Sequence, residues 1–155
     1  MSRRAFLGLG TNLGDREAYL RAALRTLRAT GEVTAVSGLY ETEPVGGPPQ
    51  GLYLNLVVEL ETSDSPEALL ERCRALEEAA GRVRLERFGP RTLDADVLFV
   101  DGEVRSSEEL TVPHPRMFER RFVVSPLREL APDLVSERQE LAAGGDVRRV
   151  GTLAE

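Results

Sequence analysis

The chain begins with a short apolar run followed by an amphipathic segment. Residues 4–10 read RAFLGLG, which predicts a strand, and the turn TNLGD leads into a helix of about 15 residues. Leu20, Leu24 and Leu27 give that helix one apolar face, and Gly31 is placed to end it. The pattern therefore predicts a strand, a tight turn and a helix that packs through one face.

Two more strands are predicted after this helix. The segment GEVTAVSGLYET reads as one strand, in which Val33, Ala35 and Ser37 lie on the same face. After the loop EPVGGPPQG, the segment LYLNLVVELET reads as a strand with two distinct faces. One face carries Leu54, Leu56, Val58 and Leu60, and the other carries Tyr53, Asn55 and Val57.

A second helix is predicted between Ser65 and Gly81. Ser65 supplies an N-cap and Pro66 a first-turn proline, while Gly81 supplies the end. Cys73, the only cysteine of the chain, falls on the apolar face of this helix and is predicted to be buried. A single cysteine excludes an intramolecular disulfide and suits a reducing compartment.

The next strand, LDADVLFV, carries two carboxylates within an apolar run. Side chains alternate along a strand, so Asp94 and Asp96 point to the same side, about 6.5 to 7 Å apart along the chain. The opposite face is predicted to be wholly apolar: Leu93, Ala95, Val97 and Phe99. Two like charges side by side need a neutralising partner, which is either Arg91 or a bound cation.

The order of these elements predicts the fold. Strand, helix, strand, strand, helix, strand is the ferredoxin-like βαββαβ plan of an α+β protein, with a mainly antiparallel sheet and helices on one face. Beyond Gly102 the pattern weakens into a C-terminal extension, with a short helix near SPLREL and little signal from Ala142 onward. A length of 155 residues predicts one domain, residues 1–155.

Composition narrows the possible chemistry. The net charge of −6 argues against general binding of nucleic acids or anionic membranes. All 20 basic residues counted as Lys or Arg are Arg, which excludes a Walker-type lysine loop and a Schiff-base lysine. One Cys and one His exclude zinc sites built from several of either.

The start of the chain, MSRRAFLGLG, resembles a twin-arginine export signal. The hydrophobic segment ends after ten residues, so a cytoplasmic location is predicted.

Arginines precede the two aspartates in the segment GRVRLERFGPR. Such a segment is either a solvated loop, a source of ion pairs for the aspartates, or a phosphate-binding segment. Mg²⁺ is commonly held by one or two carboxylates together with phosphate oxygens, and phosphates attract arginines. A magnesium-bound phosphate ligand would satisfy both signs of charge.

Two other groups of residues suit parts of one ligand. His114, in LTVPHP, is either a loop hydrogen bonder or a donor to a phosphate, and Arg120 follows it closely. Tyr53 and Asn55 offer an aromatic surface and an amide that suit a planar heterocycle. The glycines of GLGTNLG do not make a dinucleotide fingerprint, because Leu13 stands where its third glycine belongs, and they are predicted to serve a tight turn.

The motifs together resemble a known family. LGLGTNLGD, YETEPVG followed by QGLYLN, GRVR, GPRTLDADVLF and LTVPHPRM occur in this order and span nearly the whole chain. They resemble the 6-hydroxymethyl-7,8-dihydropterin pyrophosphokinases of folate biosynthesis. The resemblance implies transfer of the β,γ-diphosphate of ATP to the hydroxymethyl group of a reduced pterin, with release of AMP. The net charge predicts no nucleic-acid or membrane partner, and a monomer is expected because the sequence shows no exposed apolar stripe.

The resemblance also implies roles for individual residues. Asp94 and Asp96 would bind two Mg²⁺ ions, and these two with Arg82 and Arg91 would be catalytic. The ATP site would comprise Arg74, Glu77, Arg82, Arg84, Arg91, Thr111, His114 and Arg120. The pterin site would comprise Thr42, Val45, Tyr53, Asn55, Phe88 and Phe122. Arg74 stands where the family often has an amide, so it is either a phosphate contact or a surface charge. The rival functions are a non-catalytic ligand-binding module and a different ATP-dependent kinase or nucleotidyltransferase that uses the same two acids.

Overall fold

A mainly antiparallel sheet organises the computed structural model, which describes residues 1–42, 51–81 and 92–153. Of the candidate site residues, Val45, Arg82, Arg84, Phe88 and Arg91 lie outside the described residues. The elements are β1 (Arg3–Thr11), α1 (Arg16–Arg28), β2 (Val33–Val36), β3 (Leu39–Thr42), β4 (Tyr53–Thr62), α2 (Pro66–Ala79), β5 (Asp94–Val100), β6 (Arg105–Ser106), β7 (Thr111–Val112), α3 (Arg121–Leu130), α4 (Glu137–Ala142) and β8 (Val147–Gly151). None of the helices within the described residues is long and apolar enough to cross a membrane.

The main sheet has the order β5-β1-β4-β3-β8, and β2 pairs with β4 alongside β3. Every pair in it is antiparallel. The first and last strands of the βαββαβ core, β1 and β5, are neighbours although the whole core separates them along the chain. The predicted α+β architecture is confirmed.

The sheet is covered on both faces. The first face packs on α1 and α2 through a core that includes Leu9, Leu24 and Leu56. The second face packs on α3 through a separate cluster in which Phe6 and Val57 of the sheet meet Val124, Leu127 and other residues of the C-terminal region. The prediction of helices on one face only is therefore wrong. The apolar side chains on the second face need cover, and the C-terminal extension supplies it.

The predicted strand GEVTAVSGLYET is split into β2 and β3. Ser37 lies at the break, and its Oγ accepts a hydrogen bond from the backbone N–H of Val57 at 2.9 Å and donates to the carbonyl of Gly38 at 2.8 Å. The hydroxyl thus replaces one backbone acceptor of the strand ladder, while the N–H of Ser37 still donates to the carbonyl of Val57 at 2.9 Å. β2 and β3 consequently pair with different halves of β4.

The helix boundaries follow the predicted caps. The side chain of Ser65 accepts from the N–H of Ala68 at 3.1 Å to begin α2, and Gly81 follows its end with a φ of 64°. Cys73 is buried, as predicted. The helix near residue 125 is longer than SPLREL, and β8 was not predicted. All residues of β8 are at least partly exposed, so no apolar alternation marks this strand.

Candidate functional site

The register of three strands places polar side chains side by side on the second face. Asp94 lies opposite Gly10, and Asp96 lies opposite Gly8. On the other side of β1, Gly10 lies opposite Asn55. Asp96 is exposed, whereas Ala95 between the two acids is buried on the first face, which confirms the predicted alternation. The two glycines thus form a glycine floor between the acids of β5 and the amide of β4.

The glycine floor is not part of a turn. Gly8 and Gly10 lie inside β1, and only Gly14, with a φ of 68°, occupies the turn that the sequence predicted for all of them. A Cβ atom on Gly10 would lie 2.4 Å from Oδ1 of Asn55. Gly10 therefore makes room for the Asn55 side chain. Two glycines at alternate positions of a strand were the sequence feature that could have predicted this close approach.

A β-bulge ends the polar part of β5. The register with β1 shifts so that Phe6 faces Phe99 but Leu7 faces Val97, which leaves Leu98 as the additional residue. Phe99 therefore joins Phe6 on the second face, with ring centroids 6.4 Å apart. The prediction that Phe99 shares a face with Ala95 is wrong, because the alternation is interrupted by the bulge.

Glu77 of α2 holds the backbone between the two aspartates. Glu77 is only 6% exposed, and its Oε2 accepts a hydrogen bond from the N–H of Ala95 at 3.1 Å. Among the described strands β5 lies at the edge of the sheet, and Glu77 gives this N–H a partner from α2. The helix thus fixes the position of the strand segment that carries Asp94 and Asp96.

A cleft of about 230 Å³ lies next to Asp96. Leu70, Val97 and Leu110 contribute apolar walls, and Thr111 and His114 contribute polar groups. Glu108, Glu109 and Pro115 complete the lining. The structure therefore brings together three of the predicted site residues, Asp96, Thr111 and His114.

His114 is positioned by its own backbone and by its neighbour. Its N–H donates to the carbonyl of Leu98 at 2.8 Å, and its Nδ1 accepts from the N–H of Arg116 at 3.2 Å. Burial, and then the charges of Arg120 and Arg116, lower the pKa of the imidazole. A neutral ring with an acceptor at Nδ1 carries its proton on Nε2, so His114 can donate one hydrogen bond to a ligand.

Arg120 and Phe122 lie at the beginning of α3. The Arg120 guanidinium carbon is 5.6 Å from the centroid of the Phe122 ring. Burial and the charge of Arg116 lower the pKa of Arg120, whereas Asp96 and Glu119 act in the opposite direction. The electrostatic attraction between Asp96 and Arg120 associates this arginine with the face of the sheet that carries the two acids.

The predicted pterin residues of β3 and β4 come together. Thr42 pairs with Tyr53 in register, and Nδ2 of Asn55 donates to Oγ1 of Thr42 at 3.1 Å. Thr42 is buried, while Tyr53 and Asn55 are partly exposed. This hydrogen bond fixes the orientation of the Asn55 amide beside the glycine floor.

Arg74, a predicted ATP residue on α2, has an ion-pair partner within the same helix. It is half-exposed and forms an ion pair with Glu71 at 2.7 Å, three residues earlier on α2. This favours a surface charge over a phosphate contact.

The described part of the chain contains no group of three or more His, Cys, Asp or Glu side chains that could hold a metal ion. The remaining candidate is the pair Asp94 and Asp96, whose hard oxygen donors on one face suit Mg²⁺ when phosphate oxygens complete its coordination. Both carboxylates also have partners within the protein.

The fold defines the chain as an α+β protein, and the paired acids suit a site for a phosphate ligand bound through Mg²⁺. The family model of 7,8-dihydro-6-hydroxymethylpterin-pyrophosphokinase matches residues 6–132, and the chain belongs to this family. The 2-amino-4-hydroxy-6-hydroxymethyldihydropteridine pyrophosphokinase of Bacillus subtilis is 47% identical over 88% of this chain and 83% of its own length. The Haemophilus influenzae protein of the same name is 39% identical over 88% of this chain and 87% of its own. The predicted family is confirmed.

A solved structure has the same fold. Plasmodium falciparum HPPK-DHPS superposes with a TM-score of 0.62 at 16% identity. The match covers 85% of this chain and 38% of the Plasmodium chain.

Proposed function

We propose that Asp94, Asp96 and the residues around the glycine floor carry out the reaction of this family. As a pyrophosphokinase, the chain transfers the β,γ-diphosphate of ATP to the hydroxymethyl group of 6-hydroxymethyl-7,8-dihydropterin in folate biosynthesis. The products are AMP and the pterin diphosphate. The observation that supports this assignment of residues is the strand register, in which the acids and Asn55 flank the glycine floor.

The two substrates are proposed to approach the acids from different sides. Adjacent strands are about 4.8 Å apart, so Asp94 and Asn55, two strands apart, are separated by about 10 Å across the Gly10 backbone. A small bicyclic ring held by the Asn55 amide would therefore have its hydroxymethyl arm near the acids. ATP would occupy the cleft beside Asp96, with Thr111 at its polar edge.

Asp94 and Asp96 are proposed to hold Mg²⁺, two ions in all, with the ATP phosphates. The bound cations would neutralise phosphate charge. His114 would donate from Nε2 to a phosphate oxygen, and Arg120 would add positive charge on the same side. Arg82, Arg84 and Arg91 belong to the same proposal as phosphate contacts.

The chain's contribution to the chemistry is orientation and control of charge. Asn55, Thr42 and Tyr53 would hold the pterin so that its hydroxyl oxygen attacks the β-phosphorus in line with the departing AMP oxygen. Val45, Phe88 and Phe122 would complete the pterin site. Asp94 is the proposed acceptor of the hydroxyl proton.

Residues 1–155 are proposed to act as one domain and as a monomer. The proposal includes a cytoplasmic location, which the single buried cysteine favours. It requires no nucleic-acid or membrane partner.

The experiment that tests this function is a product analysis. The protein is incubated with ATP, Mg²⁺ and 6-hydroxymethyl-7,8-dihydropterin, and the nucleotides are separated by chromatography. AMP formed in equal amount with pterin diphosphate is the expected result. ADP would indicate an ordinary kinase, and pterin binding without turnover would indicate a non-catalytic module. Omission of Mg²⁺ is the control for the role of the acids.

A further inference from the structure

Arg16 joins two chain segments that lead into the candidate pterin site. It is the first residue of α1, just after the turn that follows β1. Its Nη1 donates to the carbonyl of Leu52 at 3.0 Å, and its Nη2 donates to Oε2 of Glu41 at 3.2 Å. Leu52 directly precedes Tyr53, and Glu41 directly precedes Thr42. One guanidinium therefore holds both strands next to the residues proposed to contact the pterin.

The turn before α1 makes a second contact with the same segment. Nδ2 of Asn12 donates to the carbonyl of Gly51 at 3.2 Å. Side chains from residues 12 and 16 thus bind the consecutive carbonyls of Gly51 and Leu52. The start of β4 is consequently tied to the turn between β1 and α1 by two independent hydrogen bonds.

Glu41 has partners on two sides. Arg16 binds one of its oxygens, and Arg148 of β8 binds the other at 2.5 Å. The Glu41 side chain is 15% exposed and that of Arg16 33%, whereas the Arg148 side chain is 74% exposed. Solvent screening weakens the Arg148 pair more strongly, so Arg16 makes the more protected of the two ion pairs.

The contacts of Arg16 adjoin the part of the β3–β4 pairing that carries candidate pterin residues. Within the described residues, β3 pairs with β4 through Tyr40 with Asn55, Glu41 with Leu54, and Thr42 with Tyr53. The pair of Thr42 and Tyr53 consists of two candidate pterin residues, and each directly follows a residue that Arg16 binds. Opening this pair would also break the hydrogen bond from Asn55 to Thr42 that orients the amide.

We propose that Arg16 is a positioning residue for pterin binding, which acts by tying the ends of β3 and β4 together. This inference rests on the proposed function, because the proposed function assigns Thr42, Tyr53 and Asn55 to the pterin site. Arg16 contributes through Thr42, Tyr53 and Asn55 and has no role at the ATP cleft.

The test compares Arg16→Gln with Arg148→Gln. Both variants remove one arginine from Glu41, but only the first also removes the hydrogen bond to Leu52. Arg16→Gln is expected to raise the KM for the pterin about tenfold, with the KM for ATP and kcat changed less than about twofold. Arg148→Gln is expected to leave all three constants within about twofold of the wild type.

A Glu41→Gln variant and the Arg16→Gln/Glu41→Gln double variant examine the connection through Glu41. The double variant is expected to resemble Arg16→Gln, because the single change has already broken the pair. Additive losses would contradict the proposal. An unchanged pterin KM in Arg16→Gln, an equal rise for both substrates, or an equal effect of Arg148→Gln would overturn it as well.

A second measurement does not depend on catalysis. Amide hydrogen exchange of residues 40–42 and 53–55 is expected to be faster in Arg16→Gln than in Arg148→Gln, while the exchange of residues 5–9 is unchanged. Arg16→Lys can keep one of the two contacts and replaces the glutamine variant if that variant does not fold. An intermediate effect is expected for it.

Lack of AMP formation by the wild type would refute the proposed function. Normal turnover with unchanged exchange in Arg16→Gln would refute only the positioning role.

Discussion

Replacement of Gly10 by alanine should disturb pterin binding through Asn55. The added Cβ atom would lie 2.4 Å from Oδ1 of Asn55. Ordinary carbon–oxygen contacts need about 3.3 Å or more, so the amide must move by about 1 Å. Its hydrogen bond to Thr42, at 3.1 Å, cannot be kept with good geometry after such a movement.

The magnitude follows from the two costs of this movement. A lost hydrogen bond costs about 0.5 to 1.5 kcal/mol, and an unfavourable rotamer costs about the same. The sum, about 1 to 3 kcal/mol, corresponds to an increase of about 5- to 150-fold in the Kd for the pterin. The Kd for an ATP analogue should change by less than about twofold, because the cleft proposed to bind ATP lies beside Asp96 on the other side of the floor.

The matched control is Gly8→Ala. A Cβ atom on Gly8 would meet the side chain of Leu98 at 3.4 Å, an ordinary contact. Both variants carry the same chemical change in the same strand, so effects on chain entropy cancel in the comparison. Isothermal titration calorimetry with the pterin and, separately, with a nonhydrolysable ATP analogue measures both affinities. Equal pterin affinity of the two variants would refute the reasoning.

Three further changes test other parts of the site. Asp96→Asn should lower kcat by at least about a thousandfold without lowering the unfolding temperature, because it removes a proposed metal ligand and relieves repulsion with Asp94. Wild-type kcat at saturating Mg²⁺ would exclude this role of Asp96. The lowered pKa of His114 means that the unfolded chain binds its proton more readily, so the folded protein loses stability as pH falls below about 6.5, by at most about 1.4 kcal/mol per pH unit. Denaturant unfolding between pH 7.5 and pH 5 should therefore show a steeper loss for the wild type than for His114→Gln, and parallel curves would contradict this. Glu77→Ala should lower the free energy of unfolding by about 1 to 3 kcal/mol, because the Ala95 N–H loses its partner, and Glu77→Gln should recover part of this loss. Urea unfolding that shows no difference between Glu77→Ala and the wild type would exclude a stabilising role of this hydrogen bond.

Local patterns predicted the features that neighbouring residues decide. The alternation in β4 assigned Leu56 and Asn55 to opposite faces, and the Ser65 cap and Gly81 marked the limits of α2. The paired acids of β5 were also assigned correctly. These features depend on a period of two or on capping chemistry within a few residues, so the sequence carries them directly.

Predictions were wrong where the outcome depended on distant residues. The break between β2 and β3 depends on Ser37 reaching the amide of Val57, and the different face of Phe99 depends on a bulge against Phe6 and Leu7. In each case the local pattern was continuous. The partner that interrupts it lies at least 20 residues away along the chain.

The amino-acid sequence by itself determined the α+β class, the helix limits, the acids on one strand face and the family motifs. Only the tertiary structure decided that α3 covers the second face, that Glu77 holds the edge of β5, and that Arg16 ties β3 to β4. The physical reason is that Glu77 and Arg16 bind a backbone amide and a backbone carbonyl, groups that nearly every residue offers, and that the apolar side chains of α3 can pack on any apolar surface. Their partners are therefore selected by the geometry of the folded sheet and not by any local signal in the side chains.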